Sequence, residues 1–189
     1  MFVLSYQQPG PRPSVQSQGL CEHRRGDVWL EMGREMNLEQ LRELIVRPVL
    51  QHLELWSSAA ENLVLGTALV ESKAEYIHQV RGPALGFWQM EPATHDDIWI
   101  NFLQYNATLR ELVKELQSPA QITAGSNELI GNLYYGAAMC RIHYRRVKDP
   151  LPHAKDAEAM ARYWKDFYNT SRGAGTVEKA LPRFIVVCA

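Results

Sequence analysis

"SSAAENLVLGTALVES", residues 57–72, decides the fold. Ala59 to Val70 are apolar nearly all round, broken by Glu61, Asn62 and Thr67. A helix without a polar face has to be surrounded by other elements, so this segment reads as a buried helix of a mainly α protein. Ser58-x-x-Glu61 reads as a capping box at its start. Glu71 closes the run, where a carboxylate costs free energy if it stays charged out of water.

The flanking segments repeat the helical pattern. "NLEQLRELIVRPVLQHLELW", residues 37–56, opens on Asn37-x-x-Gln40 as a capping box. Leu38, Leu41, Leu44 and Ile45 then recur at three and four, and Pro48 is expected to kink or break that helix. "ATHDDIWINFLQYN", "ATLRELVKELQS", "NELIGNLYYGAAMCRIHYRRV", "DAEAMARYWKDFYN" and "TVEKALPRF" read as further helices. Asp96 and Asp97 are expected to cap one of them. "FIVVC" at residues 184–188 is the one segment with strand character. Residues 1–35, rich in Gln, Ser, Pro and Gly, read as a flexible extension, because they cannot bury enough apolar surface to offset their ordering entropy. The folded part is expected over 36–189 as a single domain.

With 189 residues, 46% hydrophobic, the chain can build one substantial core. A net charge of −1 provides no electrostatic footprint for nucleic acid. Cys21, Cys140 and Cys188 are scattered too widely for a disulfide framework or a zinc site. The histidines form no metal-like constellation, and neither a metal nor a cofactor is expected. The apolar run Phe2–Leu4 is too short for a signal-peptide core, and nothing approaches a membrane span. The expectation is synthesis in the cytoplasm without membrane insertion.

The chemistry concentrates around "GPALGFWQMEPATH", residues 82–95. Gly82 and Gly86 allow a tight bend or a close backbone approach to a ligand. Gln89 offers both donors and an acceptor. Glu71 lies just upstream. Buried there, its carboxyl would be tuned toward a general acid at neutral pH; reaching back to water, it would be an ordinary helix-terminal glutamate. In "YWKDFYNTSRGAG", Trp164, Phe167 and Tyr168 can form an aromatic wall of the kind that suits the flat faces of sugar rings. Trp164 and Phe167 serve equally as core, which leaves Tyr168-Asn169 as the more exposed candidates. His95 is a candidate neighbour of the loop, and His143 a solvated residue near a helix end.

In order along the chain, these segments resemble the lysozyme-like superfamily, and within it the soluble lytic transglycosylases, including those carried by bacteriophages. Glu71-Ser72 resembles the family's first motif, a glutamate and serine ending a helix. Gly86, Gln89, Pro92 and Thr94 match its second motif. Asn132 to Gly136 in "NLYYG" look like the third, and Tyr168-Asn169 before glycines like the fourth. The likeness runs from about Ser57 to Leu181. It implies a helical domain with a cleft for peptidoglycan glycan strands, cut at the β-1,4 bond between N-acetylmuramic acid and N-acetylglucosamine. Glu71 would be the catalytic acid, and Ser72, Gln89, Glu91, Tyr168 and Asn169 would line the sugar site.

Two departures stand out. Val80 occupies a place where many members have serine, and Glu91 one where many have methionine. Goose-type lysozymes resemble this loop too, with an acidic residue at the place of Glu91 and a histidine at that of His95. In that case Glu91 would position a water and the enzyme would be a hydrolase. A catalytically silent structural module of a phage particle is the alternative from another class. A wall-degrading enzyme without an export signal would be released by lysis, pass a holin pore or travel in a virion, with tail proteins as partners.

Overall fold

A computed structural model describes residues 36–119, 125–169 and 173–189. The expected extension over 1–35, Cys21 included, lies outside them. The described chain is mainly α-helical; its β structure is two isolated bridges, His78 with Leu85 and Leu85 with Met90.

The first helical run begins where Asn37 accepts from the Gln40 N–H. It passes from α1 (Leu38–Gln40) through a π segment (Leu41–Val46) into α2 (Arg47–His52). The run therefore continues past Pro48, which sits in the first turn of α2, where its missing N–H matters least. The turns before it widen to π register, and Arg47 N–H reaches back to Arg42 O.

The central helix, α3 (Ser58–Ser72), starts one residue earlier than the expected capping box. Ser57 is its cap, accepting from Ala60 N–H at 3.1 Å. That places Glu61 one position too far along for the reciprocal bond. It turns inward instead, 2% exposed, and meets Arg42 at 2.7 Å, Arg47 at 2.8 Å and the Trp56 indole at 2.8 Å. From Ala60 to Leu69 every residue of α3 is buried, as its composition demanded.

Further helices follow: α4 (Pro92–Asn101), α5 (Ala107–Glu115), α6 (Glu128–Gly131), α7 (Leu133–Arg145), α8 (Ala157–Trp164) and α9 (Val177–Cys188). Helix α3 is contacted by α2, α7, α8 and α9. Gly66 lets α9 approach, since a Cβ there would lie 2.2 Å from the Phe184 ring. Asp96 and Asp97 are not caps: α4 begins at Pro92, so both lie within it, and Asp97 pairs with Arg146. The segment "FIVVC" is the last turns of α9, not a strand; Phe184 and Val187 bury one face of an amphipathic helix. Asn132 divides α6 from α7 by capping the latter, accepting from Tyr135 N–H at 3.0 Å. No helix among the described residues is long and apolar enough to cross a membrane.

Candidate active site

The end of α3 and the loop after it build the site. Lys73 closes the helix in left-handed conformation, φ 58°, and Ala74 follows at φ 52°. The chain turns back over the helix end as residues 77–90. Leu85 and Met90 exchange both backbone hydrogen bonds, at 2.9 and 3.1 Å, across a turn running from Gly86 to Gln89. Gly86 has φ +73°, and its missing Cβ leaves room for Leu129 O, 2.3 Å from where that atom would stand. Only glycine meets both demands. Gly82 sits against the Gln79 side chain in the preceding bend.

Contacts to its backbone and to the Trp88 side chain pin this turn. Ser72 Oγ donates to Phe87 O at 2.6 Å. The Tyr168 hydroxyl donates to Trp88 O at 2.7 Å. The Trp88 indole donates to Val64 O at 2.9 Å, and its ring lies against Gly136 of α7, where a Cβ would meet it at 2.9 Å. Asn132 and Gly136 thus act through packing: one starts α7, the other seats Trp88 on it.

A cleft of about 420 Å³ opens beside the turn, and Glu71, Gln89, Glu91, His143, Tyr168 and Asn169 are among its lining. The Glu71 carboxyl stands between water and the core. Burial pushes its pKa up to about 7, and the Trp164 indole, donating to Oε1 at 2.9 Å, opposes that rise. Cys140, Tyr144 and Tyr168 are near enough to feel its charge. Burial pushes all three groups well above their ordinary values, and the Glu71 charge adds to the effect. A carboxyl in this position carries its proton near neutral pH and can release it within the cleft.

The other expected residues sort by position. Gln89, at φ +45°, spends its amide N–H on Gly86 O at 2.6 Å, and its carbonyl oxygen has no partner among the described residues. Glu91 is exposed at the start of α4 without capping it. Asn169 accepts from Lys165 Nζ at 2.9 Å. Tyr168 is half-buried, with its hydroxyl engaged by the loop and its ring edge-on to His143 at 5.0 Å. Ser72, expected among the sugar contacts, is 3% exposed and absent from the cleft lining; its hydroxyl serves the loop. His95 is buried away from the cleft, between the Tyr135 hydroxyl at 2.7 Å and Asp96 at 2.8 Å.

Two residues were underrated from sequence. Trp164 is core and also the hydrogen-bond partner of Glu71; its spacing of four from Tyr168 was the available signal. His143, near a helix end, reads from sequence as solvated. It lines the cleft, burial lowers its pKa, its Nε2 bonds Phe167 O at 2.9 Å, and its Nδ1 is buried with no partner among the described residues. Its placement one turn after Met139 and Cys140, both apolar, pointed inward.

No family model, curated protein or solved structure matched this chain.

Proposed function

We propose that the chain is a peptidoglycan lytic transglycosylase that cleaves the β-1,4 bond between N-acetylmuramic acid and N-acetylglucosamine. The observation that carries this reading is the Glu71 carboxyl, its pKa raised by burial to about 7, in a polar cleft that Gln89 and Tyr168 also line. Glu71 protonates the glycosidic oxygen as the bond to the muramic C1 breaks. The carboxylate left behind takes the proton of that sugar's own C6 hydroxyl as its oxygen closes on C1. The products are a 1,6-anhydromuramic end and a free 4-hydroxyl, and the acid is returned to its starting state. One carboxyl suffices for this cycle, whereas hydrolytic glycosidases use two.

Glu91 lines the same cleft and favours a second reading, a hydrolytic muramidase in which it orients water. Mass spectrometry of digested sacculi separates the two. Anhydro ends are expected, and exclusively reducing ends would replace the transglycosylase by the hydrolase. Glu71→Gln is expected to lower cleavage by about a thousandfold, the middle of the range for a proton-transfer group.

A further inference from the structure

Glu71 belongs to two adjoining hollows. Beside the cleft described above lies a second, of about 370 Å³, that shares Glu71, Asn169 and Gly175 with it and is walled by Lys73, Lys179 and Arg183. The charge changes along the groove. Among the described residues, the first limb has Glu71 and Glu91 in its lining and neither lysine nor arginine, while the second has these three cations and Glu71 as its sole carboxylate.

We propose that this second limb binds an anionic substituent carried by the glycan. The proposal rests on the glycan-cleaving reading. Bare glycan offers neutral hydroxyls and acetamides, which give the Lys73 and Lys179 ammonium groups no counter-charge. The peptide stems of peptidoglycan carry carboxylates, and polymers attached to some walls carry phosphates; both are oxyanions that lysine and arginine bind with charge-assisted hydrogen bonds.

The positions of the cations fit such a role. Lys73 occupies a left-handed position, φ 58°, where glycine would sit with less strain, and its N–H is fixed on Leu69 O at 3.2 Å. A cation thus projects from a defined point two residues after the catalytic carboxyl. Lys179 and Arg183, four apart on α9, share one face of that helix. An anion held there would fix which sugar of the strand reaches Glu71.

The test is binding by full-length Glu71→Gln protein, which separates recognition from cleavage. Three ligands are compared: stem-bearing glycan fragments, the same fragments stripped of stems, and stem-free glycan carrying a phosphate polymer. Stem-bearing fragments are expected to bind about tenfold more tightly than stripped ones at low salt, with the gap closing as ionic strength rises. Adding Lys73→Gly and Lys179→Ala, which glycine's freedom at φ 58° and alanine's helix propensity make compatible with the fold, is expected to close the same gap. Tighter binding of the phosphate-bearing glycan alone would support the limb and assign phosphate as its anion. Equal affinity for all three ligands, or a preference that survives loss of both lysines, overturns the proposal. Selective binding by a protein whose wild type cleaves none of the three would instead overturn the catalytic reading.

Discussion

At the scale of the residue, Glu71 is where stability and chemistry oppose each other. Its pKa of about 7 in the folded chain stands above the ordinary 4.5, so the folded state holds the proton more tightly than the unfolded one. Its contribution to stability is therefore greatest below pH 4.5, declines as pH rises toward 7, and is level above that. Glutamine cannot ionise and can still accept from the Trp164 indole. Glu71→Gln is thus expected to be more stable than wild type at pH 8, by about 3 kcal/mol, with the gain fading toward pH 4.5. Denaturant titrations of both proteins across that span check it; a difference that does not change with pH would mean the carboxyl is not held protonated by burial. Trp164→Phe removes the donor that favours the charged carboxylate, so the Glu71 pKa is expected to rise further and the alkaline fall in activity to move to higher pH. An unmoved limb would show that the indole does not act on the ionised form. Glu71 was legible in the sequence as a charged residue ending an apolar helix. Its hydrogen-bond partner was not, because Trp164 lies 93 residues away and reads by itself as core.

At the scale of the element, the loop between α3 and α4 walls the cleft and is tied down by Ser72 and Tyr168. Gly86 is its least replaceable residue, with positive φ and Leu129 O where a Cβ would go. Gly86→Ala is expected to cost about 2–3 kcal/mol from strain and backbone clash together, and to lower activity beyond what the lost stability explains, as Gln89 shifts. Thermal unfolding beside single-turnover cleavage measures both. Wild-type stability in this variant would show that the turn gives way, so that its geometry does not set the cleft. The glycines and Gln89 marked this loop in the sequence, whereas its supports did not. Ser72 reads as part of a motif, yet its hydroxyl points under the loop to Phe87 O, and the Asn132–Gly136 step matters because Gly136 receives Trp88. Each depends on a contact between distant segments, which spacing along one helix does not encode. The α3 cap shows the same limit: the capping-box pattern favours Ser58, but Glu61 is held by Arg42 and Arg47 and the cap falls on Ser57.

At the scale of the whole molecule, a mainly α architecture followed directly from the all-apolar face of α3 and the amphipathic runs around it. The misread "FIVVC" shows what local propensity misses, since burial of Phe184 against Gly66 settles a β-branched segment into α9. The ion network of Glu61 ties the first helical run to α3. Its partners hold the Glu61 carboxyl down at about 2, so this contribution is complete above pH 4.5 and is lost as pH falls toward 2. Glu61→Gln is expected to destabilise the protein by at least about 2 kcal/mol at neutral pH, because Arg42 and Arg47 lose their shared counter-charge. Acid titration of both proteins should narrow the gap between their stabilities progressively from pH 4.5 toward pH 2; a constant gap would assign the loss to packing instead.

The proposed chemistry needs a Glu71 carboxyl that holds its proton up to about pH 7 and gives it up in the cleft, and the pH dependence of kcat/KM for glycan cleavage tests this most directly. A fall in rate centred near pH 7 in the wild type, with cleavage by Glu71→Gln about a thousandfold lower throughout, is the predicted result. A fall centred near pH 4.5, or undiminished cleavage by Glu71→Gln, would contradict it.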